Sequence, residues 1–186
     1  DAETGFGLLR TIEPPKIRPL ALGKSASLKE KDPALAVSHG GASSVLPVHV
    51  VSRREFAGGW EYLIDSAIFT SPTHPYWSGA ALINREGQLV GVGSLIVGDA
   101  AGEKVRSPGN MFVPVDLLIP ILGDLLANGR VPGPGKPWLG VSVQETQDKL
   151  QIGRVVPGSP AEKSGLKRGD VLVGVGGRSL GGSRLA

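Results

Sequence analysis

The sequence contains no cysteine among its 186 residues, which excludes disulfide bridges and thiolate-held metal sites but does not identify the compartment. No apolar run approaches the roughly 18 residues that a membrane-spanning helix needs. There is also no positively charged segment followed by a short apolar stretch, as a signal peptide would have. Because the chain opens at Asp1 in what reads as mid-fold sequence, we expect a mature or truncated piece of a longer protein.

The net charge is only +3, and no stretch interleaves basic with aromatic residues, so nucleic-acid binding is not expected. Hydrophobic residues make up 40% and charged residues 20% of the chain, which is typical of a globular protein. The 28 glycines and 15 prolines favour many turns and short strands over long helices.

Residues 1–115 are predicted to form short strands between turn signals. Residues 47–53 are rich in β-branched side chains, and residues 80–84 and 88–96 form a hairpin around the turn at 85–87. Several strands at this spacing indicate a β-sandwich or barrel.

One helix is predicted by an apolar stripe between Leu117 and Leu126. Asp116 is its expected N-cap, and Gly129 its expected C-terminal stop. The Pro/Gly-rich residues 131–137 cannot continue a helix and predict a linker. The sequence thus divides into a barrel region at 1–130, this linker, and a second domain at 138–186.

The second domain is predicted to contain strands at 138–144, 150–156 and 171–175. Ser159-Pro160-Ala161-Glu162 is typical of a capping box that starts a short helix. Gly176-Gly177 predicts a tight turn. Few residues remain for further elements, so this domain is expected to be incomplete.

Ser78 is the candidate catalytic residue. It lies in the run His-Pro-Tyr-Trp-Ser-Gly-Ala-Ala-Leu at 74–82, where bulky residues precede the serine and small residues lead into a strand, as in a protease nucleophile turn. A serine hydroxyl needs a base to take its proton and a third group to orient that base.

Two separate stretches resemble one family. Residues 138–141 (Trp-Leu-Gly-Val) and 157–170 (Pro-Gly-Ser-Pro-Ala-Glu-Lys-Ser-Gly-Leu-Lys-Arg-Gly-Asp) are similar to the PDZ domain of HtrA/DegP-type serine proteases. Residues 77–84 (Trp-Ser-Gly-Ala-Ala-Leu-Ile-Asn) and 87–92 resemble the nucleophile loop and following hairpin of the same family. Residues 112–115 resemble the end of its protease barrel.

The resemblance implies a mainly β fold: the C-terminal half of a trypsin-like antiparallel double barrel, followed by a partial PDZ domain. Residues 1–10 look like the stretch that carries the triad aspartate, and Gly5 stands at the aspartate position. The family's triad histidine lies upstream of this segment. The resemblance assigns the oxyanion hole to the backbone N–H groups of Tyr76 and Ser78, although the family has small polar residues where this chain has Tyr76 and Trp77.

His39, His49 and His74 are scattered without paired spacing, so they are interpreted as surface or packing residues rather than as a catalytic base or metal ligands. No metal and no cofactor are expected.

The resemblance assigns peptide binding to the PDZ region by β-augmentation. The backbone N–H groups of Leu139, Gly140 and Val141 would hold the peptide carboxylate. The implied partners are peptides or unfolded proteins, with a homo-oligomer as one possible assembly. The implied location is the bacterial periplasm or cell envelope.

Three hypotheses follow. The first is a catalytically impaired HtrA-like protein that holds peptides without cutting them. The second is an active serine endopeptidase of envelope protein quality control whose missing groups lie upstream. The third is a scaffold that binds partners through the PDZ domain alone.

Overall fold

The structure is a computed structural model that describes residues 1, 3–57, 63–102, 105–133, 137–146 and 149–180. Two compact units divide the chain, residues 1–132 and 133–186. Residues 134–136 of the predicted linker and residues 181–186 of the predicted PDZ domain lie outside the described residues. No helix in the described ranges is long and apolar enough to cross a membrane.

The first unit contains a closed barrel in which all pairings are antiparallel, with the strand order β1-β2-β3-β6-β5-β4. This confirms the predicted barrel. Pairing of β1 with β4 closes it, so neither strand leaves an open edge. The strands are β1 Pro33–Val37, β2 Val45–Ala57, β3 Leu63–Ser71, β4 Ala81–Ile83, β5 Leu89–Val97 and β6 Gly109–Pro114.

Strands β3 and β6 carry the core because both of their faces are buried. Ile68 pairs with Phe112, and both belong to one apolar cluster with Val50 and Leu82. The neighbouring pair, Phe69 with Met111, points to the opposite face, since side chains alternate along a strand. That face forms a second cluster, which the helix α1, Leu122–Asn128, covers through Leu125.

The predicted start of the helix is wrong. A 3-10 turn, Val115–Leu117, comes first, and α1 begins at Leu122 without a side-chain cap. The Asp116 carboxylate instead accepts hydrogen bonds from the backbone N–H groups of Ser25 (3.0 Å) and Ala26 (2.7 Å). It therefore fixes a distant turn. The predicted stop is confirmed, since Gly129 is left-handed with φ 68°.

Arg53 fixes the same turn from strand β2. Its guanidinium donates to the backbone carbonyls of Ser25 and Leu28, and to that of Ser66 at 3.3 Å. Burial lowers the pKa of Arg53, and the Asp116 carboxylate opposes this shift by favouring the charged form.

The second unit contains the three-stranded sheet β7-β8-β9 and a separate hairpin of β10 and β11. Ser159 caps α2: its hydroxyl accepts from the Glu162 amide at 3.2 Å, as predicted. Gly176 and Gly177 form the predicted two-residue turn, with φ 57° and 78°. The elements are β7 Val141–Thr146, β8 Lys149–Val155, α2 Pro160–Lys163, β9 Val171–Leu172, β10 Gly174–Val175 and β11 Arg178–Ser179.

Two isoleucines of the barrel provide a test of this packing. Ile68 is fully buried, whereas Ile96 is 48% exposed. We expect Ile68→Ala to lower the free energy of unfolding by about 2–5 kcal/mol, because it leaves a cavity between β2, β3 and β6. The matched control, Ile96→Ala, should lower it by less than about 1 kcal/mol. Urea denaturation measures both, and equal effects would contradict the described core.

Candidate active site

The Ser78 turn is held against strand β5 by backbone hydrogen bonds. The Gly79 amide donates to the Gly93 carbonyl at 2.9 Å, and the Gly93 amide donates to the Ala80 carbonyl at 2.7 Å. A third bond, from the Ala80 amide to the Trp77 carbonyl at 3.0 Å, closes the turn itself. The side chain of Ser78 is left exposed at the surface of the barrel unit.

Close approach of backbone to backbone requires the glycine at 93. A Cβ atom there would lie 2.1 Å from the Trp77 carbonyl oxygen, far inside van der Waals contact. Gly79 is needed for its conformation, since its φ is 72°. These two glycines set the path of the chain on either side of Ser78.

His74, four residues before Ser78, is buried, with 2% of its surface exposed. Its backbone is bound by the side chain of Asn110 on β6. The His74 amide donates to Asn110 Oδ1 at 2.6 Å, and the His74 carbonyl accepts from Asn110 Nδ2 at 3.1 Å. The ring Nε2 lies 2.9 Å from the Ser44 carbonyl oxygen.

The other ring nitrogen of His74 binds the predicted oxyanion-hole residue. The Tyr76 amide donates to His74 Nδ1 at 3.1 Å. In this conformation the Tyr76 N–H is already engaged, and serving an oxyanion would require this hydrogen bond to break. The Tyr76 side chain is 53% exposed and packs against the ring of His39, with centroids 4.7 Å apart.

No histidine ring in the described ranges forms a hydrogen bond with the Ser78 hydroxyl. His39 and His49 are exposed, the former beside Tyr76 and the latter on β2. The interpretation of His74 as a packing residue agrees with its burial. The part of the chain that the structure describes contains no group of three or more metal-ligating side chains.

Gly5, at the predicted aspartate position, lies in a turn with φ 74°, and its amide donates to the Asp1 carbonyl at 3.1 Å. The next residue, Phe6, is buried in the same cluster as Phe69 and Leu125, which anchors this segment to the barrel. Gly5 has no side chain that could orient an imidazole. Its role as a degenerate triad position stays a prediction.

The second unit places Leu139 and Gly140 immediately before β7, and Val141 at its first position. The Leu139 carbonyl accepts from the Ala161 amide at 2.9 Å, and the Gly140 carbonyl accepts from the Val156 amide at 2.8 Å. Gly140 has φ 81°, and a Cβ atom there would lie 2.3 Å from Ser159 Cβ. The carbonyls thus face the body of the unit.

Sequence reasoning missed Asn110 altogether and gave His74 no role beyond packing. Asn110 is the one polar residue in the strand Gly109–Pro114, every residue of which is buried. A buried amide must find partners, so this isolated asparagine was the available signal.

Residues 1–92 match the family described as trypsin-like peptidase domain, and residues 130–184 match the family described as PDZ domain. Among curated proteins, the chain is 29% identical over 194 residues to the serine protease PepD of Mycobacterium tuberculosis, covering 97% of this chain and 41% of that protein. It is 29% identical over 198 residues to the "Probable periplasmic serine endoprotease DegP-like" of Hahella chejuensis, covering 97% and 40%. The chain thus spans less than half the length of these relatives.

Solved structures give the same fold. The chain aligns with the HtrA-type protease AlgW with decapeptide at a TM-score of 0.56 and 20% identity, covering 91% of this chain and 55% of that one. AlgW with tripeptide aligns at a TM-score of 0.53 and 20% identity, covering 90% and 58%.

The barrel, the serine turn and the second unit define a trypsin-like serine-protease region joined to a PDZ domain. The relatives and solved structures named above that share this arrangement are serine proteases of the DegP and HtrA type.

Gly93 allows a test of the serine turn. We expect Gly93→Ala to lower the free energy of unfolding by about 1–3 kcal/mol, because the added methyl group would push the Trp77 carbonyl away from β5. Gly98→Ala is the matched control, since a Cβ atom at Gly98 meets nothing within 4 Å. Thermal and urea denaturation measure the change, and a fully stable Gly93→Ala protein would show that the turn does not pack as described.

Proposed function

We propose that this chain is a catalytically impaired HtrA-type protein that binds peptides or unfolded proteins and does not cut them. The observation that carries the proposal is the environment of Ser78. Its hydroxyl has no imidazole partner among the described residues, and the neighbouring Tyr76 amide is bound to His74.

The triad position adds a second argument. Glycine at position 5 supplies no carboxylate to stabilise an imidazolium, whichever histidine were brought to Ser78. In serine proteases that have been dissected by mutation, removal of triad members lowers turnover by about four to six powers of ten. A protein that lacks the triad acid is therefore expected to hydrolyse peptides at a negligible rate.

Peptide binding is supported by the sheet of the second unit. Strand β7 is at the edge of the sheet, paired with β8 on one side and with no strand on the other within the described residues. An edge strand can accept an extended peptide as a further strand. The Leu139 and Gly140 carbonyls accept hydrogen bonds from within the unit, and the proposal assigns the amides at the start of β7 to the peptide carboxylate.

The names of the relatives favour an alternative, an active serine endopeptidase. Those proteins are named serine proteases or endoproteases, and this chain spans less than half of their length. In a longer protein, a base and an acid outside this chain could complete a catalytic triad with Ser78. A location in the periplasm or cell envelope is part of the proposal, supported by the word periplasmic in the relatives' names.

Hydrolysis by the purified full-length protein that contains this chain tests the first half of the proposal. We expect no release of fluorescence from labelled casein above the buffer background, and no change in Ser78→Ala. The same protein should unfold cooperatively, which shows that inactivity is not misfolding. Steady hydrolysis that Ser78→Ala abolishes would establish the active-endopeptidase alternative instead.

Gly140 tests the second half. The probe is a decapeptide with a free C-terminal carboxylate, selected from a peptide array. Gly140→Ala should weaken its binding by more than about tenfold. The added methyl group would collide with Ser159 and displace residues 139–141, whose amides are assigned to the carboxylate. Gly158→Ala is the matched control: Gly158 also has a positive φ (76°), but a Cβ atom there meets nothing within 4 Å.

Calorimetry or fluorescence anisotropy measures both variants, with the amidated decapeptide as a negative control. Equal weakening by both variants, or equal binding of the amidated peptide, would overturn carboxylate capture by this loop.

A further inference from the structure

We propose that His74 is a positioning residue: its ring holds the Tyr76 amide in the engaged conformation and releases it when the ring becomes protonated. This inference rests on the proposed assignment of the Tyr76 amide to the oxyanion site of Ser78. It adds that the neutral His74 ring occupies this amide and that protonation of the ring frees it.

The contacts define the tautomer. A backbone carbonyl can only accept a hydrogen bond, so His74 Nε2, 2.9 Å from the Ser44 carbonyl oxygen, carries the proton. In a neutral imidazole the other nitrogen is then an acceptor. This agrees with the Tyr76 amide, which donates to Nδ1 at 3.1 Å. Both ring nitrogens of the neutral histidine are therefore satisfied.

The ring cannot easily move away from these partners. His74 is 2% exposed, and its amide and carbonyl are both bound to the Asn110 side chain. Asn110 itself is fully buried on β6. The ring is thus fixed relative to the barrel, while Tyr76 and Ser78 are exposed. Protonation at His74 Nδ1 is therefore expected to move the exposed Tyr76 and to leave the buried ring in place.

Protonation of the ring places an N–H at Nδ1, opposite the N–H of Tyr76. Two donors cannot bond to each other, so the hydrogen bond is lost and the amide must turn toward solvent. Two titratable groups make ring contacts here: the Tyr76 phenol, whose ring centroid lies 6.2 Å from that of His74, and His39, whose ring packs against Tyr76. Ser44 and Asn110 contribute neutral groups only.

The consequence concerns the oxyanion site. Removal of a single oxyanion-hole donor lowers turnover in serine proteases by about 10²–10³. With His74 neutral, one of the two assigned donors in this chain is occupied within the protein. Acid conditions would free it, so availability of the site is expected to follow the charge on His74.

The test is an NMR experiment on the full ¹⁵N-labelled chain between pH 5 and 8, the range in which histidine titrates. Long-range ¹H–¹⁵N spectra read the tautomer of His74, and amide exchange reads the Tyr76 N–H. We expect the Nε2–H tautomer at pH 8. After correction for intrinsic exchange, protection of the Tyr76 amide should fall by about tenfold as His74 is protonated, the equivalent of one net hydrogen bond.

Two variants separate positioning from a purely structural role. In His74→Asn, the side-chain oxygen of asparagine can still accept a hydrogen bond from the Tyr76 amide, but this side chain does not titrate. It should retain protection of the Tyr76 amide at both pH values. His39→Asn removes the exposed histidine beside Tyr76 and should leave the wild-type pH dependence unchanged.

An Nδ1–H tautomer at pH 8, or Tyr76 exchange that does not follow His74 protonation, would overturn the proposal. Transfer of the pH dependence to His39 would overturn it as well. If His74→Asn does not fold, the His74 tautomer and the Tyr76 amide exchange of the wild-type chain still test the proposal. None of these readouts depends on hydrolysis or peptide binding, so the proposed function can fail or hold independently.

Discussion

The buried side chain of Asn110 is the constraint on which the geometry around Ser78 depends. An unpaired side-chain amide at this buried position of β6 would destabilise the barrel by about 1–3 kcal/mol for each unsatisfied group. Asn110 avoids this by binding both the amide and the carbonyl of His74. The loop that leads to Ser78 is consequently attached to the barrel at a fixed point. The hydrogen bonds of the His74 ring, and through them the direction of the Tyr76 amide, follow from that attachment.

Much of the fold could be predicted because its determinants are local. The hairpin around residues 85–87 and the turn at Gly176-Gly177 depend on glycine conformations that the sequence displays directly. The capping box at Ser159 is equally local. The start of α1 could not be predicted in this way. Asp116 had the right residue type for an N-cap, but the backbone amides that it binds are those of Ser25 and Ala26, about ninety positions away in the chain.

In the candidate site, too, local features could be predicted from the sequence and long-range contacts could not. The turn around Ser78 could be predicted from its bulky and small residues, whereas the roles that the family resemblance assigns to Gly5 and Tyr76 stay predictions. The hydrogen-bond partner of the Tyr76 amide could not be predicted. It depends on the burial of the His74 ring and on the Ser44 carbonyl that accepts from the other ring nitrogen. Both depend on contacts that His74 makes with Asn110 on β6 and with the Ser44 carbonyl. Local sequence carries no record of such contacts, except for the isolated asparagine in an apolar strand.

The edge position of β7 has a further consequence for the behaviour of the protein in solution. A strand edge that can receive a peptide can also receive another edge strand, which is a route to aggregation or domain swapping. In β7, Val141 and Val143 are half-buried, and the exposed positions are Ser142 and the polar segment from Gln144 to Thr146. The strand is short, and its exposed side chains are polar, with the negative charge of Glu145 among them. These features limit association between identical copies, which carry the same charge, while leaving the backbone open to a ligand of different sequence.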